Sequence, residues 1–501
     1  MTKTQDLDRR PSFSMRLENF RLFKDSEWFR VAPLTCLVGR NSSGKTSILS
    51  ALLLLKQSLE QEGMARGTTP LILSGPYCDL GDYGDLVYNH DQSSEVSFSF
   101  AMSFLDLQTR TSQAASPLTA FPIPRSNPVG RLGFGYYYPR YEATLPKSGE
   151  VTASLTFSVS KPFGPSLSCV EIQVPNVGSA RFIRTISGER RQHWRTYTTA
   201  LAPKIIDFTS GPRSLFPGIM VRERVYQRSS PEQKTAARLF AHVASLLFRH
   251  LQRTLWDSRV IGPFRTPPER RYAFGGFGAS RGGPSGEQAV NLLITEALLR
   301  TSAGSSLEAA VAFWIKHLKL AKSLRVKDIA KRLNLFEVDV RGTVLGARAN
   351  LADVGFGVSQ ILPVLVEGLL MRRGGIYLVQ QPEIHLHPDA QAGLADFFIY
   401  LAANGVTTIV ETHSEYFLLR LRRRLAEGGK SLQPVKSMLP VAPVRREDIA
   451  VLYTGSEQRQ TVVKQLEIGE SFQFENLPAG FMSQALDDRV ALLRVLGKRN
   501  A

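Results

Sequence analysis

The sequence predicts an α/β fold: a parallel core sheet flanked by helices, a mixed β-sheet lobe, and a β-rich and helical insertion between the two halves of the core. Three observations carry this prediction. An apolar strand runs into a glycine-rich loop and a helix near residue 40. Strand and helix patterns alternate again from Ile376 to Ala426, as consecutive strands of a parallel sheet do. Between them lies a long stretch of β-branched and aromatic segments separated by Pro- and Gly-rich loops.

Composition sets the outer limits. A chain of 501 residues is expected to hold roughly two to three domains. With 43% hydrophobic and 21% charged residues it buries real cores, and disorder of the whole chain is excluded. The longest apolar runs, Ile48 to Leu55 and Ile361 to Leu370, fall short of the roughly 20 residues of a membrane span. Met1 to Arg10 is polar and charged with no apolar segment behind it, which argues against a secretory signal, so a cytoplasmic location is expected. Cys36, Cys78 and Cys169 are widely scattered and read as free thiols rather than a disulfide framework or a zinc ribbon.

Element by element, Ser14 to Phe23 and Trp28 to Val38 read as two strands, with Leu34, Cys36 and Val38 alternating toward one face. A helix begins near Gly44 and runs through Leu55, apolar nearly all round as a buried helix should be. Val96 to Phe104, Tyr136 to Ala143 and Leu155 to Val159 have strand composition. A helical pattern covers Gln233 to Trp256 and continues, with interruptions, to Leu333, around a loop at Pro263 to Gly286. Ile376 to Val379 and Val406 to Val410 read as buried strands, Gln391 to Ala402 and Tyr416 to Ala426 as helices. The end of the chain reads as a strand pair over Arg446 to Gly469 and an amphipathic helix over Met482 to Arg494. There is no internal repeat and no long heptad pattern.

The loop Gly39-Arg40-Asn41-Ser42-Ser43-Gly44-Lys45-Thr46, with Ser47 behind it, fits the P-loop pattern GxxxxGK[ST], after a strand and at a helix start. Glycines let backbone amides converge on phosphates, Lys45 is suited to the β and γ oxygens of ATP, and the Thr46 hydroxyl to Mg²⁺. Such a loop needs polar groups on a neighbouring strand to hold the metal water and activate the attacking water. The strand Ile376 to Val379 ends in Gln380, Gln381, Pro382 and Glu383, followed by His385 and His387. Glu383, His385 and His387 alone could be metal ligands at strand spacing, but nothing nearby completes a zinc set. His413, at the end of the next strand, stands where a γ-phosphate sensor would sit; a structural histidine is the plain alternative.

In the order they occur, the Asn19 to Phe23 segment NFRLF, the P-loop, DVGFGVSQ at Asp353 to Gln360, QPEIHLHP at Gln381 to Pro388 and ETHS at Glu411 to Ser414 resemble the ABC-type AAA ATPases related to OLD, RecF and the SMC heads. GPYCDLGDYGDLVYNHD at Gly75 to Asp91, GPFRTPPERRY at Gly262 to Tyr272 and LPAGFMSQALDDR at Leu477 to Arg489 resemble one branch of that group. Many such proteins are bacterial anti-phage components, Septu-like systems among them. The resemblance implies a P-loop ABC-type ATPase head, two lobes closing as a homodimer over two ATP molecules. Gly357 and Ser359 would then serve in a signature loop that reaches the partner's nucleotide, with Arg21 and Lys24 near the chain's own. Independently of the resemblance, Gly355, Gly357 and Ser359 before an apolar run place a phosphate-facing loop at a helix start. The departure from the family is Gln380, where an acidic residue is usual, and Gln381, where a second is common. An amide can hold the metal water but cannot act as a base, so hydrolysis is expected to be slow or absent. The sequence is equally compatible with a natural ATP-binding switch and with a glutamine introduced to hold the ATP state.

The expected division is 1–110 for an N-terminal lobe with the Walker A loop, 111–230 for a β-rich basic insertion, and 231–345 for a helical insertion with a basic Gly/Pro loop. A C-terminal lobe with signature-like loop, Walker B strand and His switch covers 346–430, and a small α+β extension 431–501. The net charge of +18 is concentrated: Arg181 to Arg281 holds 19 Lys and Arg against 6 Asp and Glu. Arginine suits phosphate, which makes double-stranded DNA the expected partner of that segment, with an acidic protein surface or plain solubility as the alternatives. The leading functional expectation is an ATP-gated DNA sensor or clamp. A scaffold that regulates a separately encoded effector nuclease and a DNA repair ATPase are the alternatives, while a transporter cassette is disfavoured by the basic insertion.

Overall fold

The computed structural model describes residues 12–62, 69–107, 148–160, 164–187, 191–199, 205–209, 215–276, 282–298, 307–330, 334–343, 346–428 and 443–478. Its centre is a seven-stranded sheet in the order Arg259–Ile261, Ile376–Gln380, Thr407–Glu411, Leu34–Gly39, Ile449–Glu457, Gln460–Ile468, Phe474–Glu475. The first five strands run parallel, and the last two turn back antiparallel. Leu34–Gly39 is buried along its whole length because both faces of the sheet are covered. Alternation sorts the side chains: Leu37, Leu378, Ile409 and Leu452 enter one core, while Leu34, Cys36, Val38, Val379 and Val410 enter the other.

The first core lies under helices Lys45–Glu62 and Pro231–Trp256 and an eight-stranded antiparallel sheet. That sheet begins with Phe13–Phe20 and continues through Val96–Ser103 into Glu150–Ser160, Gly164–Val174, Gly178–Ser187 and Arg191–Thr199. The strands at 150–199 therefore extend the sheet of the N-terminal segment edge to edge. The second core packs helices Ala289–Leu298, Leu307–His317, Phe356–Leu369, Pro388–Ala403 and Glu415–Ala426 against the opposite face. Local chemistry starts the helices where they start. Ser230 and Gln233 form a capping box ahead of Pro231, and Pro388 occupies the first turn after the His387 cap.

Two sequence expectations need correction. The two strands expected over Ser14 to Phe23 and Trp28 to Val38 are four, Phe13–Phe20, Phe23–Asp25, Phe29–Val31 and Leu34–Gly39, because Asn19, Arg21 and Glu27 take positive φ and turn the chain. The helical pattern expected up to Leu333 stops at His317, where Lys319 at φ +58 ends it. Ser323–Ala330 is a strand paired with Leu335–Arg341, since Leu324 is buried and Arg325 exposed in period two. The expected strand Tyr136 to Ala143 and helix Met482 to Arg494 lie outside the described residues. Among the described residues, no helix is long and apolar enough to cross a membrane. The three cysteines are free, and burial pushes the Cys36 and Cys78 thiols up to about 12.

Candidate nucleotide site

The loop after Leu34–Gly39 is held open by geometry that only glycine satisfies. Gly39 has φ +140, and a Cβ there would lie 2.3 Å from the Thr454 carbonyl oxygen. Gly44 has φ +104, and a Cβ there would lie 2.9 Å from the Phe23 ring and 3.0 Å from Thr461. Ser43 Oγ meets Thr454 Oγ1 at 2.6 Å. The loop is thus braced from outside by the hairpin Ile449–Glu457 and Gln460–Ile468, which the motif alone does not reveal. Inside the loop, Lys45 Nζ donates to Gly39 O at 2.9 Å and to Arg40 O at 2.7 Å. Burial lowers the Lys45 ammonium from its ordinary range, and the charge of Glu411 partly offsets that.

The loop forms one wall of an open cleft of about 590 Å³. Asn41 to Ser47, Arg21, Gln381, Glu411 and His413 line it, together with Asp85, Val87, Tyr88, Asn89 and His90. The segment Gly75 to Asp91, singled out only by its resemblance, therefore belongs to the cleft. Arg21 N donates to Leu86 O at 2.7 Å, which ties that segment to NFRLF.

Glu411 is the group at the loop that motif reading did not select. It ends its strand in register with Gln380 on one side and beside Leu37 on the other, and it is 4% exposed. Thr46 Oγ1 donates to its carboxylate, 3.1 Å from Oε1 and 3.3 Å from Oε2, and Gln380 Nε2 donates to Oε2 at 3.3 Å. Its signal was available in the sequence: once the strands before Gln380 and His413 are read as parallel neighbours, Glu411 falls level with Gln380.

The other expected site residues divide by place. Gln381 lines the cleft at φ +44, its backbone N–H donating to Glu411 O at 2.8 Å, while Gln380 lies behind it against Glu411. Glu383 is buried and accepts from the His413 amide at 2.6 Å, so it positions the histidine. Burial raises the Glu383 carboxyl, and that hydrogen bond opposes the rise. His413 lines the cleft with its side chain exposed there; partial desolvation, then Lys45, holds its imidazole below the usual value of 6.5. His385 approaches the Phe356 ring at 5.7 Å, and His387 caps a helix, so Glu383, His385 and His387 point to three different jobs. Lys24 is exposed and is not among the residues that line the cleft.

Gly357 and Ser359 sit elsewhere in the chain. Helix Phe356–Leu369 starts from Gly355, which has no side chain to cap it, and takes both residues into its first turn. Ser359 is buried, donates to Phe356 O at 3.1 Å, and lines a separate cavity of about 260 Å³. Phe356 itself is 65% exposed. Arg265, from GPFRTPPERRY, links the two regions. Its buried guanidinium donates to Gln360 O at 3.3 Å, Gln380 O at 3.0 Å and Gln381 O at 3.1 Å, and burial lowers it to about 10. Arg270 of the same segment pairs with Asp353 at 2.5 Å.

Residues 13–115 and 314–418 match the family model described as AAA ATPase domain. Over these two segments the chain is similar to an AAA ATPase domain, and the fold is of the P-loop kind. The segment between them holds the outer strands of the eight-stranded sheet and helix Pro231–Trp256. Among curated proteins none matches the chain significantly. Among solved structures, an Smc head bound to the C-terminal winged-helix domain of ScpA is 10% identical with a TM-score of 0.42, covering 91% of this chain and 98% of that one. The SMC head domain of Thermotoga maritima is 9% identical with a TM-score of 0.37, covering 92% of this chain and all of that one. A Pyrococcus furiosus Smc head with an extended coiled coil, bound to the C-terminal domain of ScpA, is 10% identical with a TM-score of 0.37, covering 97% and 99%.

Proposed function

We propose that this chain is an ABC-type, ATP-gated switch that takes Mg²⁺–ATP in the Lys45 cleft and closes head to head on a second copy of itself. The observation that carries the reading is spatial. The phosphate loop, Arg21, Gln381 and His413 converge on one cleft, while the glycine-started helix with Ser359 lies outside it behind an exposed Phe356. A helix start that cannot serve its own chain's cleft is suited to the nucleotide of another copy. Bound magnesium would supply positive charge to the β and γ oxygens, with Thr46 as a ligand and Gln380 behind it. Lys45 would meet the β and γ phosphates, and His413, held by Glu383, the γ-phosphate. With amides at 380 and 381, the cycle is slow and nucleotide state is the output.

Calorimetry together with light scattering tests this. ATP with Mg²⁺ is expected to bind and to double the particle mass. A protein that binds no nucleotide ends the reading, and one that binds without a change of mass ends its dimer part.

DNA contact is a second and narrower part of the proposal. Within the basic segment Arg195, Arg222 and Arg224 are exposed, as is Tyr197 at 54%. Some arginines of the segment are paired: Arg181 with Glu171 at the surface, Arg259 with Glu367, and buried Arg265 with three carbonyls. The phosphate-facing charge is thus smaller than the local excess of +13 suggests. Duplex affinity should fall with salt by a slope of about −0.9 per neutralised phosphate, and reversing Arg195, Arg222 and Arg224 to Glu should flatten it. Binding indifferent to both would leave the segment as a docking face for protein. A role in anti-phage defence, with a separately encoded nuclease as effector, is supported by the sequence resemblance, and the purified chain alone is then expected not to cut DNA.

A further inference from the structure

We propose that Glu411 is the carboxylate through which this chain holds the magnesium ion of Mg²⁺–ATP, in place of an acidic residue at position 380. The inference rests on the nucleotide reading above and deepens it.

A P-loop needs an anionic oxygen beside its Ser/Thr hydroxyl, because the metal water it orients is held by charge as well as by geometry. Gln380 brings no charge. Among the residues that line the cleft the carboxylates are Asp85 and Glu411, and Glu411 is the one in contact with the loop hydroxyl. Both of its oxygens lie within 3.3 Å of Thr46 Oγ1.

Its placement is firm. Glu411 is the last residue of a strand held between Leu34–Gly39 and Ile376–Gln380, so its Cα is fixed by parallel ladders on both sides. Its backbone carbonyl accepts from the Gln381 backbone N–H at 2.8 Å. A carboxylate this buried is costly unless cations or donors face it. Here it faces Thr46 and Gln380 as donors, with Lys45 near enough to interact through its charge. That set serves an anion whose stronger partner is a dication.

Gln380 completes the case. Its amide nitrogen, a donor, is the end that meets Glu411 Oε2, at 3.3 Å. A carboxylate at 380 in the same register would place two anions within hydrogen-bond distance, and one would have to take a proton or gain a cation. The neutral residue at 380 and the acidic residue at 411 thus form one complementary pair, with the charge moved one strand toward the P-loop.

The experiment measures affinity for AMP-PNP by calorimetry, once in Mg²⁺ and once in EDTA, so the readout does not depend on turnover. For the unaltered chain, affinity is expected to be higher in Mg²⁺. Glu411→Gln should keep the EDTA affinity and lose at least tenfold in Mg²⁺, about 1.4 kcal/mol. Affinity for Mn²⁺ in the presence of AMP-PNP, read from the electron paramagnetic resonance of the free ion, should fall in parallel. The exchanged pair Gln380→Glu with Glu411→Gln, which keeps one acid and one amide, should regain most of the loss. Two results overturn the assignment: a Glu411→Gln protein with the original response to Mg²⁺, or an exchanged pair as weak as Glu411→Gln alone, which would make Glu411 a packing residue. An unaltered chain that binds AMP-PNP in neither condition removes the nucleotide reading and this inference together, whereas the two overturning results leave nucleotide binding intact.

Discussion

The Lys45 cleft and the start of helix Phe356–Leu369 are both glycine-rich approaches to a helix, yet the fold treats them in opposite ways. The first is walled by its own chain. Gly39 and Gly44 are pressed by Thr454, Thr461 and Phe23, and five separate segments supply its walls. The second is open: a Cβ on Gly355 would meet nothing within 4 Å, and Phe356 projects to solvent. A loop finished by its own chain and a helix start left bare teach that similar motifs can meet opposite packing; in the proposed function the first is a site and the second half of one. What separates them is the packing around them.

Removing the cation of the finished half should have the largest effect. Lys45→Ala is expected to weaken ATP by roughly thirtyfold to several-thousandfold, the ~2–5 kcal/mol that truncating one partner of a buried charge pair costs. Circular dichroism should be unchanged, since the lysine's hydrogen bonds are to its own loop. Calorimetry showing wild-type affinity would mean that the loop is not a phosphate site.

Damage to the open half should act on association alone. Phe356→Asp is expected to raise the ATP-dependent dimer dissociation constant by about thirtyfold, the ~2 kcal/mol of an interface anchor, with monomer affinity for ATP unaltered. Equal light-scattering titrations for both proteins would show the bare helix start to be ordinary surface.

The strand ends between the two halves should respond more modestly. Gln380→Glu is expected to raise turnover by at least about tenfold, ~1.4 kcal/mol of barrier. It should also lower the melting temperature in EDTA, because the new carboxylate faces Glu411, and recover with Mg²⁺–ATP. No change in turnover or in melting would separate position 380 from the metal site.

The smallest effect concerns pH. The imidazole of His413 is held below its usual 6.5, so the unfolded chain takes up a proton before the folded one as pH falls. The stability contribution of the neutral histidine is complete above 6.5 and is lost as pH drops through the interval below it. In melting curves His413→Gln should therefore lose less stability than the unaltered chain between about pH 7 and about pH 5. Parallel curves would place the histidine in solvent.

Much of this was legible from local pattern. Strand Ile376–Gln380 and the P-loop helix followed from periodicity and from the glycine and lysine spacing. Packing between distant segments was not. Nothing near residue 40 announces that Thr454 and Thr461 shape its loop, and ETHS draws attention to its histidine rather than to Glu411. The arginine excess is legible only as a total, because a count cannot tell Arg195 on the surface from Arg265 beneath three carbonyls. Ser323–Ala330 was missed because its pairing strand, Leu335–Arg341, comes only after it in the chain.

The place of Leu34–Gly39 in the core sheet has a consequence for how the protein is made. Its two neighbours, Thr407–Glu411 and Ile449–Glu457, leave the ribosome long after it does. At about 5–20 residues per second, roughly 20–80 s pass between synthesis of the loop and arrival of the strand that braces it. Through that interval a strand that is wholly buried in the finished core has both edges unpaired, the condition in which chains join edge to edge. A nascent chain of this protein is therefore a natural client for chaperones, and one cut short before Ile449 should be found in aggregates rather than as a smaller working protein.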